Sequence, residues 1–194
     1  MTKGKLVLII GPSGVGKSVV LKALKERHPE LHFPRSATTR ARREGEGDDL
    51  YRFVSDEEFD GLVENKKVLE WAIVHGEERY GTLEEEIIPF IKEGKIVVRE
   101  VDVQGFESIR KHGLFFGKKA PYKLESVFIL PENRDVLINR IRNRAPISDA
   151  ELRRRVKSMD DEMKFAELCD HRVTNSEGKL ENTVKEVEKL IGLV

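Results

Sequence analysis

The run Gly11-Pro-Ser-Gly-Val-Gly-Lys17-Ser18 constrains this chain more than any other stretch. It fills the pattern G-x-x-x-x-G-K-S completely. Glycines let successive backbone N–H groups turn inward around a phosphate, and the helix that follows presents its positive end to the same anion. In this pattern the lysine reaches the β- and γ-phosphates and the final hydroxyl ligates Mg²⁺. Gly11, Pro12, Ser13, Gly14, Val15, Gly16, Lys17 and Ser18 therefore form a candidate ATP cradle, with Ser18 a candidate metal ligand. The flanks agree. Leu6-Val-Leu-Ile-Ile10 is a continuous apolar run, as expected of a strand covered on both faces. Val20, Leu21 and Leu24 share one face of a predicted helix from Ser18 to Arg27, which His28-Pro29 stops. A glycine turn beside a surface lysine would need neither flank. The loop says that a nucleotide is held, without saying what is done with it.

Further along, strands and helices alternate. Ile96 to Val98 with Val101, Ser126 to Leu130, and His171 to Thr174 read as strands. Helices are predicted over Leu83 to Lys92, ended near Gly94, and from Pro131 through Leu137, Ile138 and Ile141. A third starts at the capping-box pattern Ser148-Asp-Ala-Glu151 and runs to about Leu168. Leu180, Val184, Val187 and Ile191 mark a closing amphipathic helix. That order predicts an α/β fold with a parallel sheet flanked by helices. The segment from Leu31 to Leu83 is different. It is rich in charge and in short apolar stretches, including Tyr51-Arg-Phe-Val54 and Val68 to Val74, and reads as a partly β lobe inserted into the main fold.

Charge and cysteine content remove several function classes. Lys plus Arg equals Asp plus Glu, 35 each, so the large positive excess of a nucleic-acid binder is missing. The single Cys169 excludes an intramolecular disulfide and a cysteine-based zinc site. The apolar run at Leu6 is too short for a signal-peptide core or a membrane span, which points to the cytoplasm and to no membrane partner.

The acceptor side begins at Ser36-Ala-Thr-Thr-Arg40-Ala-Arg-Arg43-Glu-Gly45-Glu46, followed by Tyr51. Two guanidinium groups and a phenol suit a phosphate monoester, with bidentate bonds that lysine does not make. An arginine-rich loop by itself is ordinarily solvated surface. Here it stands in series with Tyr51-x-Phe-Val-Ser55, Glu70-Trp-Ala72, Tyr80-Gly-Thr82, Glu100-x-Asp102-x-Gln-Gly105 and the arginines Arg140, Arg144 and Arg155. In that order the chain closely resembles the guanylate kinase family, from Gly11 to the final helix.

The resemblance implies one domain over residues 1–194 with the P-loop nucleoside-monophosphate-kinase fold. The core would comprise about 1–33, 84–138 and 156–194, the inserted GMP-binding lobe about 34–83, and a lid about 139–155. It implies transfer of the ATP γ-phosphate to GMP, and to dGMP, with Mg²⁺, by a monomer or a homodimer. Ser36, Arg40, Arg43, Tyr51 and Tyr80 would hold the GMP phosphate, while Glu70, Thr82 and Glu100 would read the guanine. Guanine offers N1–H and an amine to a carboxylate and O6 to a hydroxyl, whereas adenine would leave the carboxylate unpaired. Lys17, Arg40, Arg140, Arg144 and Arg155 would act on the transferring phosphoryl group. Asp102 resembles the acidic residue near Mg²⁺, and Asn175 matches the place where the family contacts adenine.

The chain also departs from that pattern. The loop between Glu46 and Tyr51 is one residue shorter than usual, and His75 to Tyr80 one longer. Ala145-Pro146 stands at a lid turn where glycine is usual, and residues 113–125 make a long connection. Arg99 replaces an apolar residue, and the sequence alone offers no physical account of it. Three competing readings remain: a ribose-phosphate kinase on the same scaffold, a non-catalytic guanylate-kinase-like module, and an RNA binder using the arginine helix. The first would not need Glu70, Thr82 and Glu100 together. The second typically loses the phosphate loop, and neutral net charge disfavours the third.

Overall fold

A computed structural model describes residues 4–73, 77–144 and 147–194, with the side chain of Arg144 outside that description. The expectations placed on Val74, His75, Ala145 and Pro146 therefore lie outside the described residues. The chain divides into two compact units. One comprises Glu30–Arg99 and Gln104–Leu124 with the N-terminal residues through Leu6; the other comprises Val7–Pro29, Glu100–Val103 and Glu125–Val194.

The strand–loop–helix start stands as read. Strand β1 (Lys5–Ile10) is buried from Leu6 onward, and helix α1 (Lys17–Arg27) buries Val20 and Leu24 while Leu21 is half exposed. Two short strands, β2 (Ser36–Thr38) and β3 (Tyr51–Phe53), precede helix α2 (Asp56–Glu64), and then come β4 (Val68–Ile73) and β5 (Arg79–Leu83). The chain continues through helix α3 (Ile88–Lys92), strand β6 (Ile96–Glu100), helix α4 (Val103–Lys111) and strand β7 (Lys123–Pro131). It closes with helices α5 (Arg134–Arg144) and α6 (Asp149–Met163), strand β8 (His171–Asn175) and helix α7 (Leu180–Leu190). The core sheet has the order β6-β1-β7-β8, and β7 and β8 run parallel. Non-consecutive neighbours require crossovers, and helices supply them.

Helix α7 anchors the end of α1. Arg27, in the last turn of α1, donates to Glu181 and Glu188 of α7, and His28 Nε2 lies 3.0 Å from the buried Glu188 carboxylate. Leu180, Val184, Val187 and Ile191 do form one face, with the last three buried.

Several local expectations need correction. The helix placed over Leu83 to Lys92 is two pieces, a 3₁₀ turn at Glu84–Glu86 and the short α3. Pro89 has no N–H to carry a single helical ladder through the junction. Pro131 ends β7, paired with Asn175, instead of opening a helix; the Asn133 carboxamide accepts from Val136 N–H and starts α5. At Ser148 only half of the capping box forms: its hydroxyl accepts from Glu151 N–H, while the Glu151 carboxylate turns to Arg154 and Arg155. The reciprocal box forms at Ser55 and Glu58, at the start of α2, a helix the charged insert conceals.

The lobe sheet has the order β3-β2-β5-β4 and packs Ala37, Phe59 and Leu83 as its core. Arg79 pins β5 to α2, donating to Asp56 and Asp60 with its guanidinium 4.7 Å above the Phe59 ring. In the same unit His32 stacks on Phe90 at 3.4 Å, and its Nε2 donates to Glu86 O at 2.9 Å. Burial holds the His32 imidazole below its ordinary 6.5, so the unfolded chain takes up this proton first as pH falls. The contribution is complete above pH 6.5 and is lost progressively below it. His32→Gln should flatten the acid slope of the urea midpoint between pH 7.5 and 5; an unchanged slope would show that His32 does not titrate this way.

Candidate active site

The phosphate loop is held open by backbone geometry. Gly11 has φ +149°, and a Cβ there would lie 2.6 Å from Ile129 O; Gly16, at φ +104°, would drive one to 2.4 Å from Asn175 Nδ2. Neither position admits a side chain. Gly16 starts α1 with no side-chain cap, which leaves the helix N–H groups directed toward the loop. Lys17 folds back, its Nζ donating to Gly11 O at 2.7 Å and Pro12 O at 3.3 Å. Ser18 Oγ donates to Glu100 Oε2 at 3.0 Å, and Glu100 Oε1 lies 3.8 Å from Lys17 Nζ. Glu100 thus sits with the phosphate loop in this structure. Asp102 follows at the exposed end of β6, also in this unit.

Val15 O is the loop's anchor. It accepts from Asn175 Nδ2 at 2.8 Å and from Arg140 Nη1 at 3.3 Å. Asn175 is buried, and its Oδ1 accepts from Thr183 Oγ1 at 3.2 Å, so the side chain braces the loop from below. Arg155 donates from Nε to Glu151 at 2.9 Å and lines a small pocket with Ser13, Ile141, Ser158, Met159 and Glu162. Within it Glu162 Oε2 accepts from Ser13 N–H at 3.3 Å, placing a carboxylate on one of the loop's own donors. Arg140 and Arg155 are thereby both brought to the loop, while Arg144 is described only as the last residue of α5.

In the lobe, pairing register does what sequence spacing hides. Tyr51 pairs with Ser36, Ser36 with Thr82, and Thr82 with Glu70, one residue from each of four strands. Directly paired residues share a sheet face. Four of the expected GMP residues therefore form one cross-strand row, with Thr82 Oγ1 donating to Glu70 Oε1. Tyr80 meets Tyr51 edge to face at 5.8 Å, and the nearly buried Arg40 guanidinium lies 5.3 Å from the Tyr51 ring. Arg40 Nη2 donates to Glu46 Oε1 at 2.6 Å, and Arg43 N–H donates to the other Glu46 oxygen at 3.0 Å. The bond to Glu46 raises the Arg40 guanidinium above its ordinary range, and Arg40 in turn holds the Glu46 carboxyl down. Arg43 is exposed, and its backbone N–H joins this group.

Three contributors escape a linear reading: Glu46 as the brace of Arg40, Glu162 as a contact of the loop, and Arg99, treated below; Asn175, expected at adenine, is bonded here to Val15 O. Glu46 stands in a legible motif, but its partner could not be read from spacing. For Glu162 no signal exists in the sequence.

A buried strand, a phosphate-cradling loop at the start of a helix, and a β lobe that sets Arg40 against Tyr51 and Tyr51 against Tyr80 define the P-loop nucleoside-monophosphate-kinase fold. The family model described as guanylate kinase matches residues 3–193. The chain is 41% identical to guanylate kinase of Helicobacter pylori over 173 residues, covering 89% of this chain and 80% of that one. It is 38% identical to guanylate kinase of Prochlorococcus marinus over 188 residues, 96% of both chains. A crystal structure of guanylate kinase from Anaplasma phagocytophilum superposes with a TM-score of 0.67 at 25% identity, over 98% of this chain and 85% of that one. The chain belongs to the guanylate kinase family. Among the described residues no helix is long and apolar enough to cross a membrane.

Proposed function

We propose that this protein transfers the γ-phosphate of ATP to GMP, and to dGMP, giving ADP and the corresponding guanosine diphosphate. The observation that carries this reading is the row Tyr51-Ser36-Thr82-Glu70, backed by Arg40 and Tyr80, in a chain whose phosphate loop is complete. The row offers the Glu70 carboxylate for the N1–H and amine of guanine, the Thr82 hydroxyl for O6, and the Ser36 and Tyr51 hydroxyls for the phosphate. Arg40, fixed by Glu46, takes the phosphate together with Tyr51 and Tyr80, and Arg43 completes the charge.

The acceptor needs no base from the protein. A phosphate monoester with a second pKa of about 6 is largely dianionic at pH 7, and its oxygen attacks in line. The chain's task is positioning, charge neutralisation and exclusion of water. Lys17 leaves Gly11 O and Pro12 O for the β- and γ-phosphates, while Arg140, Arg144 and Arg155 neutralise the equatorial oxygens. Ser18 and Asp102 would supply the oxygen donors, which suit Mg²⁺ in character. A bound metal would supply charge neutralisation at the phosphates. Glu100 reads the guanine amine once Ser18 turns away from it. In this reading residues 34–83 act as the GMP lobe and 139–155 as the lid, and the enzyme works in the cytoplasm.

The test is coupled ADP release with ATP and Mg²⁺ against GMP, dGMP, AMP, CMP, UMP and ribose phosphates. GMP and dGMP should turn over, with AMP slower by roughly 10⁴-fold. No turnover with GMP at high protein concentration would overturn the reading.

A further inference from the structure

Arg99 lies on β6, half-buried, with its guanidinium against the base-reading row. Nε donates to Thr82 Oγ1 at 3.1 Å, Nη2 to Ser36 Oγ at 2.9 Å, and Nη1 to Pro34 O at 3.4 Å. Thr82 is fully buried and Ser36 nearly so, and both hydroxyls accept from the same planar cation. Nothing in the transfer chemistry uses this arginine.

A hydroxyl carries one proton and two lone pairs, and by itself it turns to suit either a donor or an acceptor. Beside an apolar residue, Thr82 would accept from the exocyclic amine of adenine as readily as it donates to guanine O6, and Ser36 would turn its proton away from the substrate phosphate as readily as toward it. Arginine has no acceptor and keeps its protons, so it fixes one role on each hydroxyl. Each must accept on the Arg99 side, and its own proton is directed elsewhere. For Thr82 that direction is visible, since its proton goes to Glu70. When the N1–H and amine of guanine engage Glu70, O6 becomes the alternative acceptor for that proton.

We infer that Arg99 is a positioning residue that makes the Ser36 and Thr82 hydroxyls donors toward the substrate, and so selects purines with an oxygen at position 6 over those with an amine. A fork is required because two hydroxyls on different strands are addressed at once, and a lysine presents no such pair of fixed donors. The inference rests on the GMP reading and adds a determinant that acts through Ser36 and Thr82 rather than by touching the base.

The test compares GMP with 2,6-diaminopurine ribonucleoside monophosphate, which keeps the 2-amine and replaces O6 with an amine. Inhibition constants for the diamino compound and KM for GMP are measured on wild type, Arg99→Leu and Arg99→Lys, with KM for ATP as control. In Arg99→Leu the KM for GMP should rise about tenfold, the ratio of diamino inhibition constant to GMP KM should fall about tenfold or more, and KM for ATP should stay within about twofold. Arg99→Lys should move the ratio in the same direction, and it carries the test if the leucine variant does not fold. A folded variant of either kind that melts earlier but keeps the wild-type ratio assigns Arg99 a purely structural role and overturns the inference. Wild-type protein that does not turn over GMP overturns the underlying reading as well. Normal GMP turnover with an unchanged ratio removes only the role given to Arg99.

Discussion

Lys17→Met should reduce phosphoryl transfer to GMP by at least about 10³-fold while leaving GMP binding near its wild-type strength. Methionine keeps most of the side-chain length and removes the charge. Lys17 is mostly buried and bonded to two carbonyls of its own loop, so the substitution also removes two loop contacts. Those contacts contribute on the order of 1 kcal/mol each to stability, a loss visible in the urea midpoint but too small to unfold a domain. The rate effect is larger because the ammonium meets charge that develops on the transferring group, where water cannot replace it. Steady-state kinetics beside calorimetric GMP titration separates the two. A variant that folds and retains more than about a tenth of the wild-type rate would place the charge elsewhere.

Glu70→Gln should act on the other substrate. Glutamine is nearly isosteric, and its carbonyl still accepts from Thr82 across the β4–β5 pair, so the lobe sheet should survive. What changes is the pairing with guanine. A carboxylate accepts from N1–H and the amine together, whereas the carboxamide accepts once and sets an N–H against a donor. An unpaired donor in a closed site costs about 2–3 kcal/mol, so the KM for GMP should rise roughly 10²-fold. KM for ATP should remain within about twofold. Equal losses for both substrates would make Glu70 a structural carboxylate of the lobe.

Sequence and structure agree best where one residue pattern carries the whole signal. Leu6 to Ile10, the glycine loop and α1 were legible because a doubly buried strand, a positive-φ turn and a helix each leave a local mark. The arginines and the residues proposed to read the base were grouped through family resemblance. Their common row was not, because β2 and β3 are three residues each and their register is fixed by partners far along the chain. Helix α2 escaped notice although Ser55-Asp-Glu-Glu58 carries its cap, since the charge-rich surroundings resemble a loop. Pro131 misled because proline suits both a strand end and the first helical turn, and only the pairing with Asn175 decides. Glu46 and Arg99 show the same limit. Both appear as ordinary charges in sequence, and their meaning comes from which hydroxyls or guanidinium groups the fold sets beside them.

The proposed activity moves one phosphate of ATP from the loop at Gly11 to Ser18 onto GMP. The direct measurement is the GMP arm of the substrate panel run with γ-labelled ATP and Mg²⁺, following the label. The account predicts label in the β-position of GDP, one for each ADP formed, with little in inorganic phosphate. Label confined to ATP and inorganic phosphate, with GMP unchanged, would contradict it.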